Sequence, residues 1–375
     1  LDATDVWQRS KKAKTADAGK IMKDIEEKVL PRLDYLACIP TEQLPKNMVI
    51  DNLPGMKSVV LIGYALPKDL PDTEVGNHAG GIPENLVDAH VFAREEARRI
   101  LGLAGLDVAM IAESHGYDAM PRIETDVEKL ASFCGFGAYS GDGRIFKTGE
   151  FGANQMFAIV ATTMPLSYYA QKNIRNFAAP TKAGLKKFAG ERGAELFGVT
   201  PLDRLGGFPA VQALSALYPH AKNAIVIGMH YPDAYFAPGD DAPMGALGTY
   251  SFSQYMTHRE LGFLGLDICR MLNGSGNMGL PILDLCGTGS KVLNVRGTPP
   301  PGAMMEKGMI GLLPYAFIPD MRCNNIPAVA AGLGTIGYNG SLLTERFGPR
   351  QRVICILTDL ELEADAVSSY DPGCG

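Results

Sequence analysis

Long apolar runs are missing from this 375-residue chain: stretches such as Val59–Ile62 and Val353–Leu357 fall far short of the roughly 18 residues of a membrane-crossing helix. Paired cysteines are missing as well. Cys38, Cys134, Cys269, Cys286, Cys323, Cys355 and Cys374 make an odd number with no C-x-x-C spacing. That pattern argues against a zinc site or a disulfide framework and makes most of them small buried hydrophobes. Positive charge is in deficit, with 35 Lys and Arg against 41 Asp and Glu and a net charge of −6. Such a chain lacks the basic footprint of a protein that grips nucleic-acid phosphates. There is no phosphate loop, no nucleophile elbow, and no His pair or His–acid cluster at metal-ligand spacing. What remains is an ordinary globular mixture, 46% hydrophobic and 20% charged, with length for about two domains. Leu1 and the terminal Cys374-Gly375 read as cut ends of a longer chain.

One unit is used twice. Ser58-Val-Val-Leu-Ile-Gly63-Tyr-Ala-Leu-Pro67 and Asn223-Ala-Ile-Val-Ile-Gly228-Met-His-Tyr-Pro232 are both short apolar runs ending in Gly, with Pro four residues on, at an offset of 165. Each predicts a buried strand and its exit. Arg94-Glu95 meets Arg259-Glu260 at the same offset, on a stretch that reads as helix in both copies. Cys134-Gly-Phe-Gly-Ala-Tyr-Ser-Gly141, Phe151-Gly152 and Met156–Val160 then match Ala331-Gly-Leu-Gly-Thr-Ile-Gly337, Phe347-Gly348 and Val353–Leu357, with the glycines offset by 197. The second copy therefore carries about thirty extra residues, between roughly Leu280 and Arg322, where Gly and Pro are dense. Strands and helices alternate throughout, so the expected fold is α/β: a tandem-duplicated α/β sandwich whose second copy holds a long loop insertion. The boundary between copies falls near Tyr169–Thr181.

Gly332-x-Gly334-x-x-Gly337, with Asp359 22 residues further on, fits the dinucleotide-binding fingerprint. Its context does not. Upstream, Asn325–Ala331 reads as a helix starting at Pro327, where the fingerprint needs a strand; downstream, Gly340 and Gly348-Pro349 leave no room for the crossover helix. The glycines read instead as places of close backbone approach, to a neighbouring element or to another flat ligand.

The long run Ile326–Arg350, followed by Leu357-Thr-Asp-Leu360, resembles the cobalamin-binding core shared by reductive dehalogenases and epoxyqueuosine reductases. The resemblance covers most of residues 180–375. It implies a nitroreductase-like cobalamin-binding fold, with 1–175 a degenerate N-terminal copy of the unit and 176–375 the cobalamin-binding catalytic copy. Gly332, Leu333, Gly334, Gly337, Asn339, Gly340 and Thr358 would contact the corrinoid. In these families a segment carrying two [4Fe–4S] clusters follows. Cys374 stands where its first cysteine is expected, so this chain offers at most one cluster ligand.

The resemblance also implies chemistry. Epoxyqueuosine reductases carry a catalytic Asp three residues before the Pro that precedes the glycine loop; here that place is Asn324. Reductive dehalogenases use a Tyr with a Ser one helical turn earlier, and Ser251-x-x-x-Tyr255 has that spacing, on one helix face. At the 165 offset these positions are Leu86 and His90, so the pair is confined to the second copy. The same spacing is that of a Ser-capped helix with a core Tyr. A cation would tune the phenol, and Arg322 is the first choice, with Lys307 the second. His230 and His258 read as structural residues or as cavity lining, and Met304, Met305 and Met309 as core filler or a pocket wall.

The expected activity is corrinoid-dependent reductive dehalogenation of a small organohalide, with Tyr255 as proton donor. An epoxyqueuosine reductase-like or other corrinoid reductase, a non-catalytic cobalamin-binding module, and a cofactor-free assembly protein stay open. The expected partners are the organohalide and an electron donor (ferredoxin, flavodoxin or a reductase), without nucleic acid and without a transmembrane segment, and with a homodimer left open. A cytoplasmic location is expected, and export or membrane association after leader removal stays open.

Overall fold

The computed structural model describes residues 17–45, 48, 53–70, 84–122, 126–174, 178–207, 209–235, 244–282, 324–338 and 340–373. The chain divides into two compact units, Leu1–Lys68 with Arg94–Arg175, and Asp69–Ala93 with Asn176–Gly375. Residues 69–93, which the repeat arithmetic counts in the first copy, belong by their contacts to the second unit. Phe92 supplies one reason: an ideal Cβ at Gly262 would lie 2.3 Å from its ring, and the ring centroids of Phe92 and Phe263 are 5.2 Å apart.

In the first unit α1 (Ala18–Val29) starts at Asp17, whose carboxylate accepts from Lys20 N at 3.1 Å as an N-cap. The sheet is built from β1 (Tyr35–Pro40), β2 (Ser58–Ala65), β3 (Ala119–Arg122), β6 (Gln155–Thr162) and β7 (Tyr169–Lys172), in the order β3-β6-β2-β1-β7. Every pairing is antiparallel. Helix α2 (Glu84–Ser114) joins β2 to β3, with β6 inserted between those two strands as in a split βαβ unit. Helix α3 (Val127–Phe133) leads into a small hairpin of β4 (Ala138–Tyr139) and β5 (Phe146–Lys147).

The second unit repeats this plan. Its sheet runs β10-β13-β9-β8, from β8 (Leu196–Pro201), β9 (Asn223–His230), β10 (Leu280–Ile282) and β13 (Gln351–Thr358), again all antiparallel. Helices α4 (Lys182–Glu191) and α5 (Pro209–Leu217) flank β8, and α6 (Met244–Gly274) joins β9 to β10 around the inserted β13. Helix α7 (Asn325–Ala330) leads into the hairpin of β11 (Thr335–Ile336) and β12 (Leu342–Leu343). The helix thus begins two residues before Pro327, at the position where its missing N–H costs no hydrogen bond. The glycines open a hairpin and not a crossover helix. Of the expected insertion, only the stretch up to Ile282 lies within the described residues.

All eight residues of β2 and all eight of β13 are buried, which is why their middles, Val59–Ile62 and Val353–Leu357, read as continuous apolar runs with no polar alternation. In the second unit Ile225, Ile227, Ile354 and Ile356 of the sheet pack with Leu261, Leu264 and Ile268 of α6. Each side chain so buried contributes about 1.5–3 kcal/mol.

Candidate functional site

The glycine loop is shaped by its own chain. A Cβ on Gly334 would lie 2.2 Å from Leu343 O, and one on Gly332 would lie 2.1 Å from Ala366 O. Gly332 also has φ +76. The first unit has the same geometry, with Gly137 closing on Lys147 O at 2.3 Å and Gly135 at φ +73. The backbone N–H groups of Leu333, Gly337 and Gly340 donate to Ala328 O, Ser341 O and Gly337 O. Gly334 is therefore required by the hairpin itself, as Gly137 is in the first unit, while Gly332 and Gly135 share a positive φ and Gly332 alone also meets Ala366. What the loop offers outward is its tip, where Ile336 is 41% and Tyr338 fully exposed. Thr358 lies at the end of β13, fully buried, its hydroxyl accepting from Leu360 N at 3.1 Å.

Behind each loop a Thr–Gln pair fastens the hairpin to the central strand. Thr344 Oγ1 accepts from Phe347 N and donates to Gln351 Oε1 at 3.1 Å, while Gln351 Nε2 donates to Leu342 O at 2.7 Å. Thr148, Phe151, Gln155 and Phe146 make the same set in the first unit. This equivalence moves the sequence match by one residue, so Arg352 of β13 corresponds to Met156 of β6. In a strand, one residue decides which face a side chain takes.

Arg352 is the largest of the fully buried side chains, 1% exposed, and its three guanidinium nitrogens have no hydrogen-bond partner among the described residues. It shares the β13 face of Ile354 and Ile356, the face packed on α6. On α6 the stripe His258, Leu261, Gly265, Ile268, Leu272 follows helical spacing. Gly265 lets Ile354 approach within 2.8 Å of where a Cβ would be. His258 is 2% exposed, and Phe92 stands edge-on to its ring at 6.1 Å. Burial, then Arg352, then Arg259 push the His258 imidazole well below its usual pKa, so it is held neutral. Ser251 and Tyr255 lie on α6 seven and three residues before His258, the spacing of one helix face.

Arg322, Lys307, Asn339, Cys374, Met304, Met305 and Met309 lie outside the described residues. Asn324 is fully buried in a left-handed conformation (φ 59), and its Nδ2 donates to Ile282 O at 3.4 Å. His230 sits at the exit of β9, its Nδ1 bonded to Glu195 and its ring stacked on Phe347 at 4.7 Å. Burial raises the Glu195 carboxyl, but the His230 hydrogen bonds outweigh it and leave it below the usual range. Sequence reasoning missed Arg352, because an Arg in Gly348-Pro-Arg-Gln-Arg352 reads as surface charge. The available signal was the repeat: no charged residue stands at the corresponding place in the first copy.

Among the described residues no group of three His, Cys, Asp or Glu side chains could hold a metal ion, and no helix is long and apolar enough to cross a membrane. A cleft of about 580 Å³ in the first unit, lined in part by Leu106, Met110, Tyr117 and Met120, includes none of the residues singled out above.

No family model matches the chain. A 38-residue stretch, 10% of this chain and 7% of theirs, is 58% identical to tetrachloroethene reductive dehalogenases of Desulfitobacterium hafniense and Dehalobacter restrictus. Among solved structures, the catabolic reductive dehalogenase NpRdhA is similar over 96% of this chain and 63% of its own, at 11% identity and a TM-score of 0.34. An epoxyqueuosine reductase from Streptococcus thermophilus is similar over 50% of this chain and 48% of its own, at 18% identity and a TM-score of 0.31. The chain spans less than two thirds of each of these proteins. Reductive dehalogenases and epoxyqueuosine reductases, both oxidoreductases, are the proteins this chain is similar to.

Proposed function

We propose that the second unit is the corrinoid-binding half of a reductive dehalogenase acting on a small organohalide, and that the first unit is its degenerate duplicate. The observation that carries the reading is Arg352: a buried guanidinium without a described partner, on the sheet face packed on α6, at a place where the first unit has Met156. A fixed buried charge is costly, and a chain built twice on one plan has no packing reason to place it in one unit alone.

The net reaction replaces a carbon–halogen bond by carbon–hydrogen, consuming two electrons and one proton and releasing a halide ion. Cobalamin, when bound, supplies the two-electron reduction of that bond. This chain's residues do the rest. Tyr255 gives the proton from its phenol oxygen, and Ser251, one turn earlier, positions the phenol. A cation lowers the cost of the phenolate left behind. Arg352 is the described candidate for that cation, and Arg322 stays a candidate from sequence. Gly337, Tyr338, Asn339 and Gly340 of the glycine loop would hold the corrinoid, while Gly332, Leu333 and Gly334 give the loop its shape and Thr358 ends the strand behind it. Cys374 would contribute one ligand to a [4Fe–4S] cluster, and such clusters would supply electron transfer from a ferredoxin, flavodoxin or reductase. An acidic chain with a buried Asn324 favours this reading over a tRNA-modifying reductase.

The test is an anaerobic absorption spectrum after reconstitution with hydroxocobalamin and desalting. Corrin bands are expected to elute with the protein, to persist in Tyr255→Phe and to be lost in Tyr338→Asp. Tyr338 is the cleaner probe because its side chain is fully exposed, whereas any side chain on Gly334 breaks the hairpin. If no corrinoid elutes with the protein, the reading fails.

A further inference from the structure

We propose that Arg352 is a binding site for a small monovalent anion, and that its occupant in turnover is the halide ion the reaction releases. The guanidinium presents five N–H donors in a fixed plane and has no acceptor of its own. Here all three of its nitrogens are buried and unpartnered among the described residues. On α6, His258, whose imidazole the Arg352 charge helps to hold neutral, supplies no negative charge. Neighbouring positions on its sheet face are apolar: Ile354 and Ile356 belong to the core. A permanent buried charge in such a setting is stabilised by whatever anion reaches it, and a bare halide accepts N–H donors from any direction without needing a matched geometry.

The comparison between units makes the same point. Gln351 and Gln155 are fastened identically, so the strand geometry at the next residue is shared, and Met156 shows that an apolar side chain satisfies the fold there. The cation is an addition to the second unit. The inference rests on the proposed reaction only for naming halide as the occupant; the anion site itself rests on Arg352.

The experiment is chlorine-35 nuclear magnetic resonance of the full chain in chloride buffer, with Arg352→Met and Arg352→Lys alongside. Wild-type protein is expected to broaden the chloride line, bromide to reverse the broadening, and Arg352→Met to abolish that component. Arg352→Lys keeps a reduced part of it. Without added halide, Arg352→Met is expected to melt about 2–4 °C above wild type, since it removes an uncompensated charge, and this also verifies that the variant folds. Equal broadening by wild type and Arg352→Met, or a lower melting temperature for Arg352→Met with no halide effect on wild type, overturns the proposal. The corrinoid spectrum separates the two ideas: halide binding without corrinoid retention sinks the dehalogenase reading and leaves the anion site standing, and the converse result removes only the anion site.

Discussion

Gly334 has no room for a methyl group. Its ideal Cβ sits 2.2 Å from Leu343 O, a backbone atom that cannot swing aside as a side chain would. Gly334→Ala is therefore expected to cost about 1–3 kcal/mol, and Gly137→Ala a similar amount, since Lys147 O closes on it in the same way. Gly141, with nothing within 4 Å and no positive φ, is the control that stays within about 0.5 kcal/mol. Urea denaturation of the three variants checks this. If Gly334→Ala unfolds like wild type, the loop yields, and the glycine has some other reason. Equal costs at 137 and 334 would identify these glycines as parts of the hairpin, whatever the second unit binds. Arg352 is the opposite kind of residue: nothing in the fold requires it, because Met156 holds the same place.

At the scale of elements, α6 carries both kinds of information. Its stripe from His258 to Leu272 is core, and the same stripe extended toward its N-terminus reaches Tyr255 and Ser251. His258 gives this helix a pH signature. Its folded pKa lies well below the usual imidazole value, through burial first and then the Arg352 and Arg259 charges. The unfolded chain therefore binds a proton at this residue before the folded one does, and stability falls as pH drops below about 6.5. His258→Phe, which keeps an aromatic ring beside Phe92, is expected to remove that share, about 1.4 kcal/mol per pH unit between pH 6 and 5. The readout is the difference in denaturation midpoint between the two proteins across that range. A constant difference would show that His258 titrates normally in the folded state. Strands are more legible than helices here. Both β2 and β13 are apolar along their whole middle, whereas α6 mixes Gly, Ser, Thr and His with its core residues and is recognisable mainly through its stripe.

On the scale of the whole molecule, contiguity in sequence and membership in a unit part company. Residues 69–93 precede most of the first unit yet belong to the second, where Asp69 accepts from Asn273 Nδ2 at 2.7 Å and Gly279 N at 3.0 Å. Phe92 fills the space left by Gly262. Phe92→Ala is expected to destabilise the second unit by about 3–5 kcal/mol. Hydrogen exchange should then quicken in β9 and β13 while β2 and β6 keep their protection. Uniform loss in both sheets would mean that the units do not unfold separately.

The alternation of strands and helices was legible in the sequence because buried strands and tight glycine loops impose local rules. An unbroken apolar run has few other homes, and a Gly-x-Gly where two backbones touch tolerates no substitute. The charge of the chain argued against a phosphate-binding surface in the same direct way. Helix spacing alone put Ser251 and Tyr255 on one face. Three things depended on the tertiary structure. The burial of Arg352 is set by the pleat of β13 and by α6 packed over that face, contacts distant in sequence that a charged residue gives no hint of. The placement of residues 69–93 depends on which core Phe92 enters. The role of Gly332 and Gly334 depends on Ala366 and Leu343 arriving beside them, so two of the three glycines that spell a nucleotide fingerprint in sequence are, in the fold, places of close backbone approach.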